Sequence, residues 1–230
     1  MTLTPLLHLL NRHRSPWMLH ATPTKKGAGL TLFGHMDDLE DLHETIHFLC
    51  RESGGGPDVH EHALSVAYEI RKAFEGQREV LESESGTQLG ARFVWPHIVF
   101  YTSNFRQLAA YRPTNKAHQS NLTRLEYCVE SALVEYDPRV GAEVVSSYPL
   151  IGATNPHFLD GYVADVTYSY LYGGGSGKVR FRRLPALIRS MAQWSTEYRE
   201  YAAMLEREAK KHGCTPRQLR DSREWPEIEW

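Results

Sequence analysis

The chain has 230 residues, 41% of them hydrophobic and 23% charged, with a formal net charge of -2. That composition supports a globular core and gives no overall electrostatic drive toward nucleic acid or an anionic membrane. No apolar run approaches the roughly 20 residues of a membrane span, and Cys50, Cys128 and Cys214 are too few and too scattered for a disulfide framework, which favours a reduced, cytoplasmic setting.

The opening stretch MTLTPLLHLLNRHR has a short apolar run, but no basic residue precedes it and no small-residue cleavage site follows, unlike a signal peptide. Residues 3–14 read as a short helix through Leu6, Leu7, Leu9 and Leu10. Trp17 to Thr22 alternates like a strand, Lys25 to Gly29 has turn chemistry, and Leu30 to Phe33 completes a β-hairpin. Met36 to Ser53 is an amphipathic helix with Asp37 as N-cap, Glu40 three residues on, and the stripe Leu39, Leu42, Ile46, Leu49 and Cys50. Ser53-Gly54-Gly55-Gly56-Pro57 ends it. A second helix spans Val59 to Glu75, capped by Asp58 with Glu61, with Ala63, Val66, Ala67, Ile70 and Phe74 inward. Glu79 to Glu82 and Ala91 to Val94 read as short strands around the polar turn Ser83 to Thr87.

After Trp95 the pattern turns helical. Pro96 suits a first turn, and Val99, Thr102, Phe105, Leu108 and Ala109 line one face until Arg112-Pro113-Thr114-Asn115 breaks it. Leu122, Leu125, Cys128, Val129, Ala132, Leu133 and Tyr136 mark the next helix, stopped at Asp137-Pro138; a short helix covers Ala142 to Ser146. Asn155-Pro156 opens another, with Leu159, Tyr162, Val163, Val166 and Tyr170 inward, and Gly173 to Gly177 is a turn. The last long helix runs from Leu184 to His212-Gly213. Its stripe Leu187, Met191, Trp194, Tyr198, Tyr201 and Leu205 alternates in a heptad-like way that suits packing along another helix, within the chain or across a dimer. Thr215-Pro216 caps a short final helix, and the tail from Glu224 to Trp230 is acidic and aromatic. The expected fold is α+β and predominantly helical. It is one unit with an N-terminal subdomain (1–94), a helical subdomain (95–213) and a tail (214–230).

Several short motifs resemble an uncharacterised family of bacterial proteins, a domain of unknown function. They are Thr22-Pro23-Thr24-Lys25 with its hairpin and Gly29, Asp37-Asp38-Leu39-Glu40, Tyr68-Glu69-Ile70-Arg71 with Gly76 and Arg78-Glu79, and Val94-Trp95-Pro96. The resemblance implies a bacterial α+β protein and carries no reaction, ligand or catalytic residue.

One pattern has a defined chemistry. His43-Glu44-Thr45-Ile46-His47 places two histidines one helical turn apart, able to share a zinc ion, with Glu44 as general base. The third ligand would come from His60, Glu61 or His62; Glu61 and Glu69 project away from the packing face of their helix, and the extended three-histidine form is absent. Gly173 to Lys178 fails the phosphate-loop pattern, because Tyr172 and Val179 stand where glycine and Ser/Thr are needed. Arg112 and His118 are spaced like the Arg–His pair of some helical ribonucleases, but Pro113 disfavours the single helix such a pair needs. Lys178, Arg180, Arg182, Arg183 and Arg189 form the one basic cluster, a phosphate-contacting patch if 178–182 is extended, or partners for the acidic tail. Trp194, Tyr198, Tyr201, Trp225 and Trp230 are interface candidates. The leading expectation is a non-enzymatic binding or assembly module, an accessory subunit of a bacterial multi-protein system such as antiviral defence. Its partner is another protein or a second copy, with no membrane and no cofactor. The alternatives are a zinc-dependent hydrolase and nucleic-acid binding through residues 178–189.

Overall fold

Alternating apolar residues place one face of the sheet against the helices. In the computed structural model, which describes residues 19–51, 61–83, 86–151, 156–219 and 227–230, β1 (His20–Pro23), β2 (Gly29–Gly34), β3 (Glu79–Ser83) and β4 (Gly86–Val94) form an antiparallel sheet ordered β1-β2-β4-β3. Side chains directly opposite across a ladder share a face. The register Leu30↔Phe93 and Leu32↔Ala91 therefore sends these four inward, and each is 3% exposed or less. Thr31↔Arg92 and Phe33↔Gly90 lie on the opposite face.

The inner face is covered by α1 (Met36–Cys50), α2 (Glu61–Phe74) and α4 (Lys116–Tyr136), with α1 and α2 packed closely together. The expected α1 stripe is buried throughout. Its start differs from expectation: His35 occupies the N-cap without a side-chain capping bond to the helix, and Asp37 and Asp38 stand in the first turn, where they suit the helix dipole. Strand β4 is longer than alternation alone suggested, because Gly90 lets the Phe33 ring lie across it; a Cβ there would sit 2.6 Å from that ring. The predicted N-terminal helix, Trp17 and Asp58 lie outside the described residues.

The second half is helical: α3 (Trp95–Ala110), α4, α5 (Pro138–Ser147), α6 (Pro156–Tyr172), α7 (Gly177–Phe181), α8 (Leu184–Ser190) and α9 (Thr196–His212). Asp137 both ends α4 and caps α5, accepting from the amides of Arg139 and Val140, so α5 is longer than expected. Two expectations are corrected. Residues 178–182 are not extended: Gly177–Phe181 is a helical turn. The long last helix is two helices, because Ser195 accepts from the Tyr198 amide and starts a new one, so the heptad-like stripe never lies on one axis. Among the described residues no helix is long and apolar enough to cross a membrane.

The hairpin turn joins the two halves. Thr24 Oγ1 both donates to the Gly29 carbonyl (3.1 Å) and accepts from its amide (3.0 Å). The tip then docks on the helical half: Tyr170 Oη donates to Gly27 O at 2.5 Å, and the Gly177 amide donates to Lys26 O at 2.7 Å. Trp95, 0% exposed, donates its amide to Ala28 O and meets Phe181 edge-on. One hydrophobic cluster therefore runs through sheet and helices.

Candidate functional site

Helical geometry brings His43 and His47 together on α1, with ring centroids 4.4 Å apart, both half-buried beside an exposed Glu44. The Phe74 ring at the end of α2 meets His43 edge-on at 5.6 Å. Burial lowers the pKa of both imidazoles. At His43 the neighbouring His47 and then Arg71 add to it, with Glu44 opposing; at His47, Arg51 and Arg71 add to it. The pair is thus held neutral between cations. His60 lies outside the described residues, as do the side chains of Glu61 and His62. The backbone at Glu61 is about 20 Å along the α2 axis from Phe74, at the far end from the ring that covers His43. Among the described residues no three His, Cys, Asp or Glu side chains converge to hold a metal.

Because both folded pKa values are depressed, the unfolded chain binds more protons once pH falls below about 6.5. Stability contributed by the neutral pair is present above that value and is lost as pH drops through the lower folded values. The melting temperature is expected to fall between pH 7.5 and 5, and to fall less in a His43→Asn, His47→Asn variant. An identical pH slope in the two proteins would refute this.

The basic cluster is dispersed over internal partners. Lys178 faces Asp137 at 3.8 Å, and Arg189 pairs with Glu143 at 2.6 Å. Arg183 donates to the carbonyls of Ser169 (2.8 Å) and Gly174 (3.2 Å). Arg180 is buried and reaches the Glu229 carbonyl at 3.5 Å, while Arg182 is exposed. Among the aromatic candidates, Tyr198 is buried edge-on to Tyr162, and Tyr201 is half-buried 4.9 Å from the same ring. Trp194 is exposed, and Trp225 lies outside the described residues. The end of the tail is docked. Glu229 pairs with Lys26 at 3.0 Å, and Trp230 lies against the outer sheet face with Arg92 5.7 Å from its ring.

Two features escaped the sequence reading. Strand β3 is an open edge: it pairs with β4 on one side, and among the described residues no other element packs extensively on it. Val80 (52% exposed) and Leu81 (44%) point to opposite faces there, flanked by Glu79 and Glu82. The signal was present in Glu-Val-Leu-Glu, where two aliphatics interrupt an acidic run. The second feature is the approach of Arg112 and His118 to one ring, Phe48, although they share no helix.

A family model described as Domain of unknown function (DUF6904) matches residues 19–230. No curated protein and no solved structure matches the chain.

Proposed function

The chain belongs to the DUF6904 family, and from that premise we propose that it is a non-enzymatic binding module that works with another protein in a reducing, cytoplasmic setting. It receives an extended partner segment as an added strand on the free edge of β3. The observation that carries this reading is that edge, which among the described residues has no strand on its outer side, and its two exposed aliphatics, one for each face of an incoming strand. Glu82 selects the partner's chemistry, with Glu79 beside it paired to Arg92 at 3.0 Å: the acidic edge disfavours a second copy of the same strand and favours a segment that alternates basic and apolar residues. Cys50 and Cys128 are buried thiols and Cys214 a half-buried one, none of them in a disulfide among the described residues, which suits a reducing compartment.

A fluorescent ten-residue peptide alternating lysine and valine is the probe. Fluorescence anisotropy is expected to show saturable binding that weakens at least tenfold in a Val80→Lys, Leu81→Lys variant, about 1.4 kcal/mol per tenfold. A peptide of the same composition interrupted by prolines is expected not to bind. Equal affinity for the two proteins would overturn the reading. The proximity of the His43 and His47 rings supports the competing zinc-hydrolase reading. Stoichiometric zinc in the purified chain, lost in His43→Ala, His47→Ala, would favour that reading over this one.

A further inference from the structure

From the geometry around Phe48 we infer a second ligand site, one that takes a phosphate ester carrying a planar base. His118 stacks on the Phe48 ring at 4.2 Å between centroids and 27° between planes. The Arg112 guanidinium carbon lies 5.9 Å from the centroid of the same ring. One aromatic side chain from the end of α1 thus gathers two cation-forming groups from either side of the α3–α4 break. A proline that forbids a shared helix thus still lets both side chains reach one ring.

Each group is oriented and has donors to spare. Arg112 has no carboxylate or carbonyl partner for its side chain among the described residues, whereas Arg106, six residues earlier, is fully engaged by Glu126, Gln119 and Thr123. Arg112 Nη2 is buried without an acceptor, and the residue as a whole is half-buried. A guanidinium near a ring with N–H groups that take no carboxylate or carbonyl can receive a phosphate in two-point fashion. His118 Nδ1 accepts from the Asn115 amide at 3.4 Å, closing the capping box of α4. An accepting Nδ1 places the ring proton on Nε2, the far side of the imidazole, as a further donor. Tyr111, next to Arg112, is 89% exposed, the most exposed large hydrophobic side chain among the described residues. A bare tyrosine beside an unpaired arginine offers a stacking surface next to a phosphate-binding group. Lys116 and Arg51 are exposed nearby in the chain and add positive charge.

The probes are adenosine monophosphate, inorganic phosphate and a five-nucleotide single-stranded RNA, each titrated into the isotopically labelled full chain and followed by amide shifts. Saturable shifts confined to residues 111–118 and to Phe48 are expected with adenosine monophosphate. Its affinity is expected to fall at least tenfold in Arg112→Gln and severalfold in Tyr111→Ala. Tighter binding of the RNA would identify a nucleic-acid chain as the source of the phosphate; equal binding would identify a free nucleotide. Arg112→Lys, which keeps the charge and the fold but loses the planar fork, is expected to recover only part of the affinity. Absence of saturable shifts at these residues would overturn the site, as would unchanged affinity in an Arg112→Gln protein of wild-type melting temperature. Equal affinity for inorganic phosphate and the nucleotide would overturn the role of Tyr111. None of these outcomes depends on β3, so the site stands or falls separately from the peptide-binding reading.

Discussion

Replacing Gly29 by alanine is expected to destabilise the fold severely. A Cβ at this position would sit 1.8 Å from the Phe93 carbonyl oxygen and 2.9 Å from Val94 Cα. These are backbone atoms of the strand that pairs with Gly29 through Val94, so no side chain can swing away. Relief requires β2 and β4 to part by more than an ångström, which breaks the ladder that sets Leu30 against Phe93 and Leu32 against Ala91 in the core. A loss of about 4 kcal/mol or more is expected, a large fraction of the 5–15 kcal/mol typical of a domain. Urea denaturation of Gly29→Ala beside wild type measures it. A midpoint close to wild type would show that the strands separate here at little cost.

The second large effect is expected at the joint between sheet and helices. Gly27 has φ near +67°, a conformation costing a non-glycine residue about 1–2 kcal/mol, and its Cβ would lie 2.6 Å from Tyr136 Oη and 2.8 Å from Gly177 O. Tyr136 can shift, but the Gly177 carbonyl belongs to the backbone that receives the turn. Gly27→Ala is therefore expected to cost about 2–4 kcal/mol, strain and contact together. Tyr170→Phe removes one donor to Gly27 O and leaves that buried carbonyl short of a partner, for about 1–2 kcal/mol. Because both changes weaken the same dock, the double variant is expected to lose less than the sum of the singles. Strict additivity, read from chemical denaturation of the four proteins, would mean that turn and helices are not coupled there.

Family membership leaves the chemistry to be argued from particular side chains. The histidine pair on α1 is the pattern with the clearest local meaning, yet its described surroundings are Phe74, the single carboxylate of Glu44 and the fields of Arg51 and Arg71. A zinc site gains from carboxylates and neutral donors, whereas neighbouring cations oppose it. The open β3 edge carries no sequence motif, and the Phe48 stack brings together Arg112 and His118, a pair that the sequence marks only by its spacing; among the described residues each leaves backbone or side-chain groups without a partner.

Local periodicity determined the element types: the 3.6-residue stripe of Leu39, Leu42, Ile46 and Leu49, the alternation through Leu30 and Leu32, and the stops at Asp137-Pro138 and Gly213. Each of these depends on neighbours within a few residues, which is what a sequence displays. The continuity of residues 184–212 was misread because Ser195, an ordinary residue by its neighbours, becomes an N-cap once the chain turns. The basic residues 178–189 looked like one patch in the chain, but Lys178, Arg180, Arg183 and Arg189 each reach a different carboxylate or carbonyl. Only the tertiary structure made β3 an edge, set the Lys26–Gly27 turn against Tyr170 and Gly177, and brought Arg112 and His118 to Phe48. Those relations join residues far apart in sequence, and local pattern carries no record of which distant group will meet which.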